Sequence, residues 1–89
     1  MKQLFQTTQF SKDLKRMQKR GKDLDKLEII VRKLASDEFL DPRHRDHPLS
    51  GEWKHCRDCH IESAWVLIDT KTNEYLRLVR TGTHSDLFE

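Results

Sequence analysis

FSKDLKRMQKRGKDLDKLEIIVRKLAS, residues 10–36, carries two amphipathic patterns with a glycine near the join. In the first, Phe10, Leu14 and Met17 recur on one helical face while Lys12, Lys15, Arg16, Lys19 and Arg20 coat the others. Thr7, Thr8 or Ser11 offers an oxygen to the free amides at its start, and Gly21 can take the left-handed turn that ends it. In the second, Asp23 supplies the cap and Leu24, Leu27, Val31 and Leu34 form the stripe. Its acids Asp25 and Glu28 come early and its bases Arg32 and Lys33 late, the order that suits the helix dipole. So short a join predicts a helix hairpin.

Upstream, Leu4 to Thr7 reads as a short strand. Downstream, Asp41-Pro42 and His47-Pro48 break any pattern from Ser36 to Gly51, because each proline removes an amide donor and restricts the residue before it. Trp53 to Ile61, Trp65 to Ile68 and Tyr75 to Val79 are rich in β-branched and aromatic residues, with a turn signal at Thr72-Asn73. The order β-α-α-β-β-β predicts an α+β fold, a helix hairpin packed on one face of a small antiparallel-rich sheet, with the other face open. A chain of 89 residues is expected to form one domain over residues 1–89. Alternation along the strand puts Asp58 and His60 on one face and Arg57 and Cys59 on the other.

Charged residues make up 36% of the chain, yet the formal net charge is only +2, so partner choice depends on where the charges sit. The basic first helix alone reads more readily as a solvated face than as a nucleic-acid surface. No apolar run approaches the roughly 20 residues that span a bilayer, and Met1 to Phe10 lacks the features of a signal peptide. A cytoplasmic protein with no membrane partner is therefore expected, with Cys56 and Cys59 reduced.

Five histidines, His44, His47, His55, His60 and His84, lie in the second half of the chain. Imidazole exchanges protons near neutral pH, so two of them can divide the work of general base and general acid. RNA cleavage needs that division: one group takes the proton of the ribose 2′-hydroxyl and another protonates the leaving 5′-oxygen. A cation, for which Arg80 is the candidate, meets the charge developing on phosphate. For any single histidine the plainer reading is a surface or core residue held by a hydrogen bond. A zinc site from His44, His47, Cys56 and Cys59 is disfavoured, since cysteines three apart in a strand project to opposite faces. Cys56-Arg57-Asp58-Cys59-His60 has the letters of a haem-attachment motif but neither an export signal nor a distal ligand beside it. No metal and no cofactor are expected.

Two stretches resemble the YafQ family of RelE-like toxins. They are Asp46-His47-Pro48-Leu49-Ser50-Gly51-Glu52-Trp53-Lys54 running on to Arg57-Asp58-Cys59-His60-Ile61, and Arg80-Thr81-Gly82-Thr83-His84-Ser85-Asp86-Leu87-Phe88. A looser similarity reaches back to Phe10-Ser11-Lys12-Asp13. The resemblance implies a ribosome-dependent endoribonuclease that cuts messenger RNA in the A site. It also implies neutralisation by a cognate antitoxin, through which the pair binds operator DNA. By the same resemblance His47, His60 and His84 are the acid/base histidines, Asp58 orients one of them, Arg80 holds phosphate and Phe88 positions a base. A stacking role suits Phe88, since single-stranded RNA is commonly read by aromatic faces beside basic groups. Lys54, Arg57, Arg43 and Arg45 are candidates for contacts to RNA phosphates.

Two positions depart from the family pattern. Ala64 stands where relatives carry an aspartate just before the tryptophan matched by Trp65, and alanine offers neither proton nor hydrogen bond, which fits an attenuated enzyme, a natural divergence or an engineered low-toxicity variant. Asp69 stands where relatives have an aromatic residue. The competing function is a non-catalytic toxin like the ParE branch, which binds a protein target such as gyrase. That role leaves the set His47, Asp58, His60, Arg80 and His84 without a use.

Overall fold

The computed structural model describes residues 2–88. In chain order they form β1 (Gln3–Gln6), α1 (Thr8–Lys19), α2 (Leu24–Ala35), a 3-10 turn (Pro42–His44), β2 (His47–Pro48), a second 3-10 turn (Gly51–Trp53), β3 (Arg57–Glu62), β4 (Trp65–Lys71), β5 (Tyr75–Gly82) and α3 (His84–Phe88). The expected α+β order is present, with β2, α3 and the two 3-10 turns added. Thr7 ends β1 and caps α1, its hydroxyl oxygen accepting the Phe10 amide at 2.9 Å. Asp23 does the same for α2 through the Asp25 amide at 3.0 Å. Gly21, at φ +81°, makes the left-handed turn between the helices.

The strands form one five-stranded sheet in the order β1-β5-β4-β3-β2. All its pairings are antiparallel except β1 with β5, where Gln3 to Gln6 lie beside Tyr75 to Leu78 in parallel. The helix hairpin carries the chain back over the sheet between these two strands, which is what allows the parallel pairing.

On the helix-covered face, Phe10, Met17, Leu27, Ile30, Val31 and Leu34 pack against Cys59, Ile61, Trp65, Leu67, Leu76 and Leu78. Trp65 has no exposed surface, and its indole N–H donates to the Thr81 hydroxyl at 2.9 Å, so burial costs it no hydrogen bond. The other face carries a thinner cluster, Val66, Ile68 and Leu87, with Leu49, Trp53, Cys56 and Val79 around it.

Several boundaries differ from expectation. The strand expected from Trp53 begins only at Arg57. Gly51 at φ +68° and His55 at φ +77° take left-handed conformations that no strand accommodates, and Trp53 lies in a 3-10 turn between them. The loop from Ser36 to Gly51 contains β2, whose His47 and Pro48 pair with Asp58 and Arg57 at the edge of the sheet, where a proline is tolerated. β5 runs past Val79 to Gly82, through a register shift opposite Ile68 and Asp69. That extension delivers Arg80 and leads directly into α3.

Candidate active site

Strand pairing gathers the expected residues on the open face. Side chains directly across an antiparallel pair share a face, so the pairs His47–Asp58, Asp58–Ile68 and His60–Val66 place His47, Asp58 and His60 together, beside the thin apolar cluster. His84, the first residue of α3, brings its ring to 5.3 Å from that of His60 between centroids. Asp58, His60 and His84 each present a ligand atom within 4.8 Å of the others. Asp58 is 2% exposed, and its Oδ1, which no hydrogen bond satisfies, lies 4.0 Å from His60 Nε2. At that distance the two groups are neighbours without a hydrogen bond between them.

Tautomers follow from backbone contacts, because a carbonyl oxygen can only accept. His47 Nδ1 donates to the Arg45 carbonyl at 2.6 Å, which leaves Nε2 with its lone pair free to take a proton. His44 Nδ1 donates to the His60 carbonyl at 2.5 Å, so His44 steadies β3 from its backbone side. The exposed ring of Phe88 stands 5.5 Å from His84 and meets Trp53 edge-on at 6.1 Å. Trp53 is thus a support for Phe88, not part of a strand.

Arg80 arrives by an unexpected route. β1 ends opposite Leu78, leaving the edge of β5 open beyond it, and the Arg80 guanidinium meets Asp13 of α1, Nε to Oδ2 at 2.6 Å and Nη2 to Oδ1 at 3.1 Å. Asp13 is 1% exposed and also accepts the Thr81 amide at 3.2 Å, Gln9 at 3.2 Å and Arg16 at 3.0 Å. Burial opposes its ionisation, but the hydrogen bonds from Arg80, Gln9 and the Thr81 amide outweigh that and hold its carboxyl below the usual value. Asp13 thus holds the Nε/Nη2 edge of the guanidinium and leaves the Nη1 side out of the pairing. Asp13 was missed as a site residue, although the sequence carried a signal: it is an acid lying close to the apolar stripe of Phe10, Leu14 and Met17 in an otherwise basic helix.

The remaining candidates lie apart from the histidines. Lys54 is exposed at the end of the second 3-10 turn. Arg57 points to the opposite face, its Nε donating to Asp46 Oδ1 at 3.1 Å. Ala64 is exposed in the turn between β3 and β4. Cys56 and Cys59 are free and belong to opposite faces, and burial pushes the Cys59 thiol up, which makes it inert. His44, His47, Cys56 and Cys59 therefore do not converge on one ion.

The family model described as the bacterial toxin of type II toxin-antitoxin system, YafQ, matches residues 2–89. The Escherichia coli (strain K12) protein named mRNA interferase toxin YafQ is 47% identical over 81 residues, 90% of this chain and 88% of its own. The YafQ chain of the E. coli DinJ-YafQ complex superposes with a TM-score of 0.92 at 42% identity, covering 100% of both chains. A metal-bound toxin from Helicobacter pylori matches with a TM-score of 0.91 at 41% identity, over 99% of this chain and 100% of the other. The chain belongs to the YafQ family of type II toxins. Among the described residues no helix is long and apolar enough to cross a membrane.

Proposed function

We propose that the protein is a ribosome-dependent endoribonuclease that cuts messenger RNA in the A site by acid/base catalysis without a metal, and that a cognate antitoxin silences it. The observation that carries this reading is the gathering of His47, Asp58, His60 and His84 on one open face beside Phe88. His47, His60 and His84 divide the removal of the 2′-hydroxyl proton and the protonation of the 5′-oxygen. Asp58 holds His60, and the free edge of Arg80 meets the phosphate. Phe88 stacks on a base, while Lys54 and, from the far face, Arg57 add RNA contacts that carry no sequence information. The antitoxin, through which operator DNA is bound, covers this face. Ala64 lowers the rate by withholding the carboxylate found there in relatives.

The test is cleavage of a defined messenger RNA on programmed ribosomes, with free RNA as control. The protein should cut only on the ribosome, His84→Ala should lose about 100-fold or more of the rate, and Ala64→Asp should gain. A chelator should leave the rate unchanged. Added copper should lower it, because an ion held by Asp58, His60 and His84 takes the lone pairs that proton transfer requires. Failure of even Ala64→Asp to cut would replace this reading with a ParE-like toxin that binds a protein target.

A further inference from the structure

His84 and Phe88 sit on a helix of five residues, too short to hold its shape alone. Three features fix it. Leu87, 7% exposed, packs against the cluster of Val66 and Ile68. Thr83 and Asp86 cap each other, the Thr83 amide donating to Asp86 Oδ2 at 2.9 Å and the Asp86 amide to the Thr83 hydroxyl at 3.2 Å. The third lies outside the segment: Arg20, at the end of α1, grips the same carboxylate with two bonds, Nη1 to Oδ2 at 2.7 Å and Nη2 to Oδ1 at 3.2 Å.

The fit around this carboxylate is close. A Cβ at Gly82 would stand 3.0 Å from Asp86 Oδ2 and 3.1 Å from Asp86 Cβ, so a larger residue there would have to push the Asp86 side chain aside by a few tenths of an ångström. Arg20, then the Thr83 amide, hold the Asp86 carboxyl well below the usual carboxylate range, which keeps it charged at any working pH. α1 is itself anchored to the sheet by Phe10 and Met17 and by the Asp13–Arg80 pair. It therefore gives Arg20 a fixed base from which to hold α3.

We propose that Arg20 and Asp86 are positioning residues of the active site: their ion pair clamps α3 to the end of α1, and so sets the His84 ring against His60 and the Phe88 ring beside it. The proposal rests on the nuclease reading above. A surface ion pair ordinarily adds little to stability, so the clamp should show in geometry and rate far more than in melting temperature. An error of about 1 Å in a catalytic group can cost up to about 100-fold in rate.

The experiment uses the full chain, freed of antitoxin, as parent, Arg20→Ala, Arg20→Lys, Asp86→Asn and the Arg20→Ala/Asp86→Asn double variant. Two readouts are taken: the NMR cross-peak between the His60 and His84 rings, and kcat and KM on programmed ribosomes. Arg20→Ala should weaken the cross-peak and lower kcat about tenfold with KM little changed. Arg20→Lys should recover most of both, and the double variant should be no worse than the lower single. Parental rate in Arg20→Ala overturns the proposal, and so does a lost rate with the cross-peak intact, which would make Arg20 a contact to RNA. If neither the parent nor Ala64→Asp cuts, the nuclease reading is refuted instead, and the cross-peak then decides the clamp by itself.

Discussion

The two faces of the sheet are made by the same strands and put to opposite uses. On the covered face, Trp65, Leu67, Leu76 and Leu78 lie under both helices, and the polar atoms of Trp65 and Thr81 are paired within the core. On the open face, three buried apolar residues support four titratable side chains, and Asp58 keeps an oxygen without a hydrogen-bond partner. A strand that alternates residue by residue lets the covered face carry stability while the open face keeps groups whose bonding is completed only by a ligand or a proton. The division has one flaw, Asp69. It is fully buried on the covered side, opposite Arg57, with neither oxygen hydrogen-bonded.

The division is broken most directly at Trp65. Trp65→Ala should cost roughly 3–5 kcal/mol and leave little folded protein, whereas a histidine exchanged for alanine on the open face should barely move the melting temperature. Thermal unfolding of the two variants side by side is the check.

Asp69 sharpens it next. Burial, then the nearby Asp46, push its carboxyl up from 3.8 to about 7. Below about pH 4 the group is protonated whether the chain is folded or not, so it costs nothing. As pH rises toward 7 the unfolded chain ionises first, and the folded state loses on the order of a few kcal/mol, fully so above pH 7. Asp69→Asn should therefore be more stable than the parent at pH 8, with a gain that disappears by pH 4. Urea midpoints at the two pH values measure it, and an equal gain at both would remove the charge from the explanation.

The smallest effect is expected where the faces are joined. Asp13→Asn leaves an acceptor for Arg80 but removes the charge that holds it, so RNA cleavage should fall about tenfold with a modest loss of melting temperature. Unchanged cleavage would mean that Arg80 needs no orientation.

How far the sequence could be read follows the same division. The helix hairpin, the cap at Asp23, the cap at Thr7 among three candidates, and the shared face of Asp58 and His60 were all legible, because each follows from a local period or a cap. The residues from Trp53 to Cys56 were misread as strand, since their aromatic and polar alternation hides two left-handed residues, Gly51 and His55. α3 is too short to show a period, and its one signal was the spacing of Thr83 and Asp86. Contacts across 66 and 67 positions, Arg20 to Asp86 and Asp13 to Arg80, leave no local trace at all. Arg57 is the converse case: strand alternation already set it opposite His60, and its charge alone put it among the candidates for contacts to RNA phosphates.

The parallel pairing of β1 with β5 also bears on how the protein is made. β1 leaves the ribosome well before its partner residues, Tyr75 to Leu78, which follow some seventy positions later, and His84 later still. Until those residues are made the nascent chain holds a helix hairpin with no completed sheet beneath it. The sheet, and the approach of His84 to His60, are therefore assembled only once residues 75–84 have joined the chain.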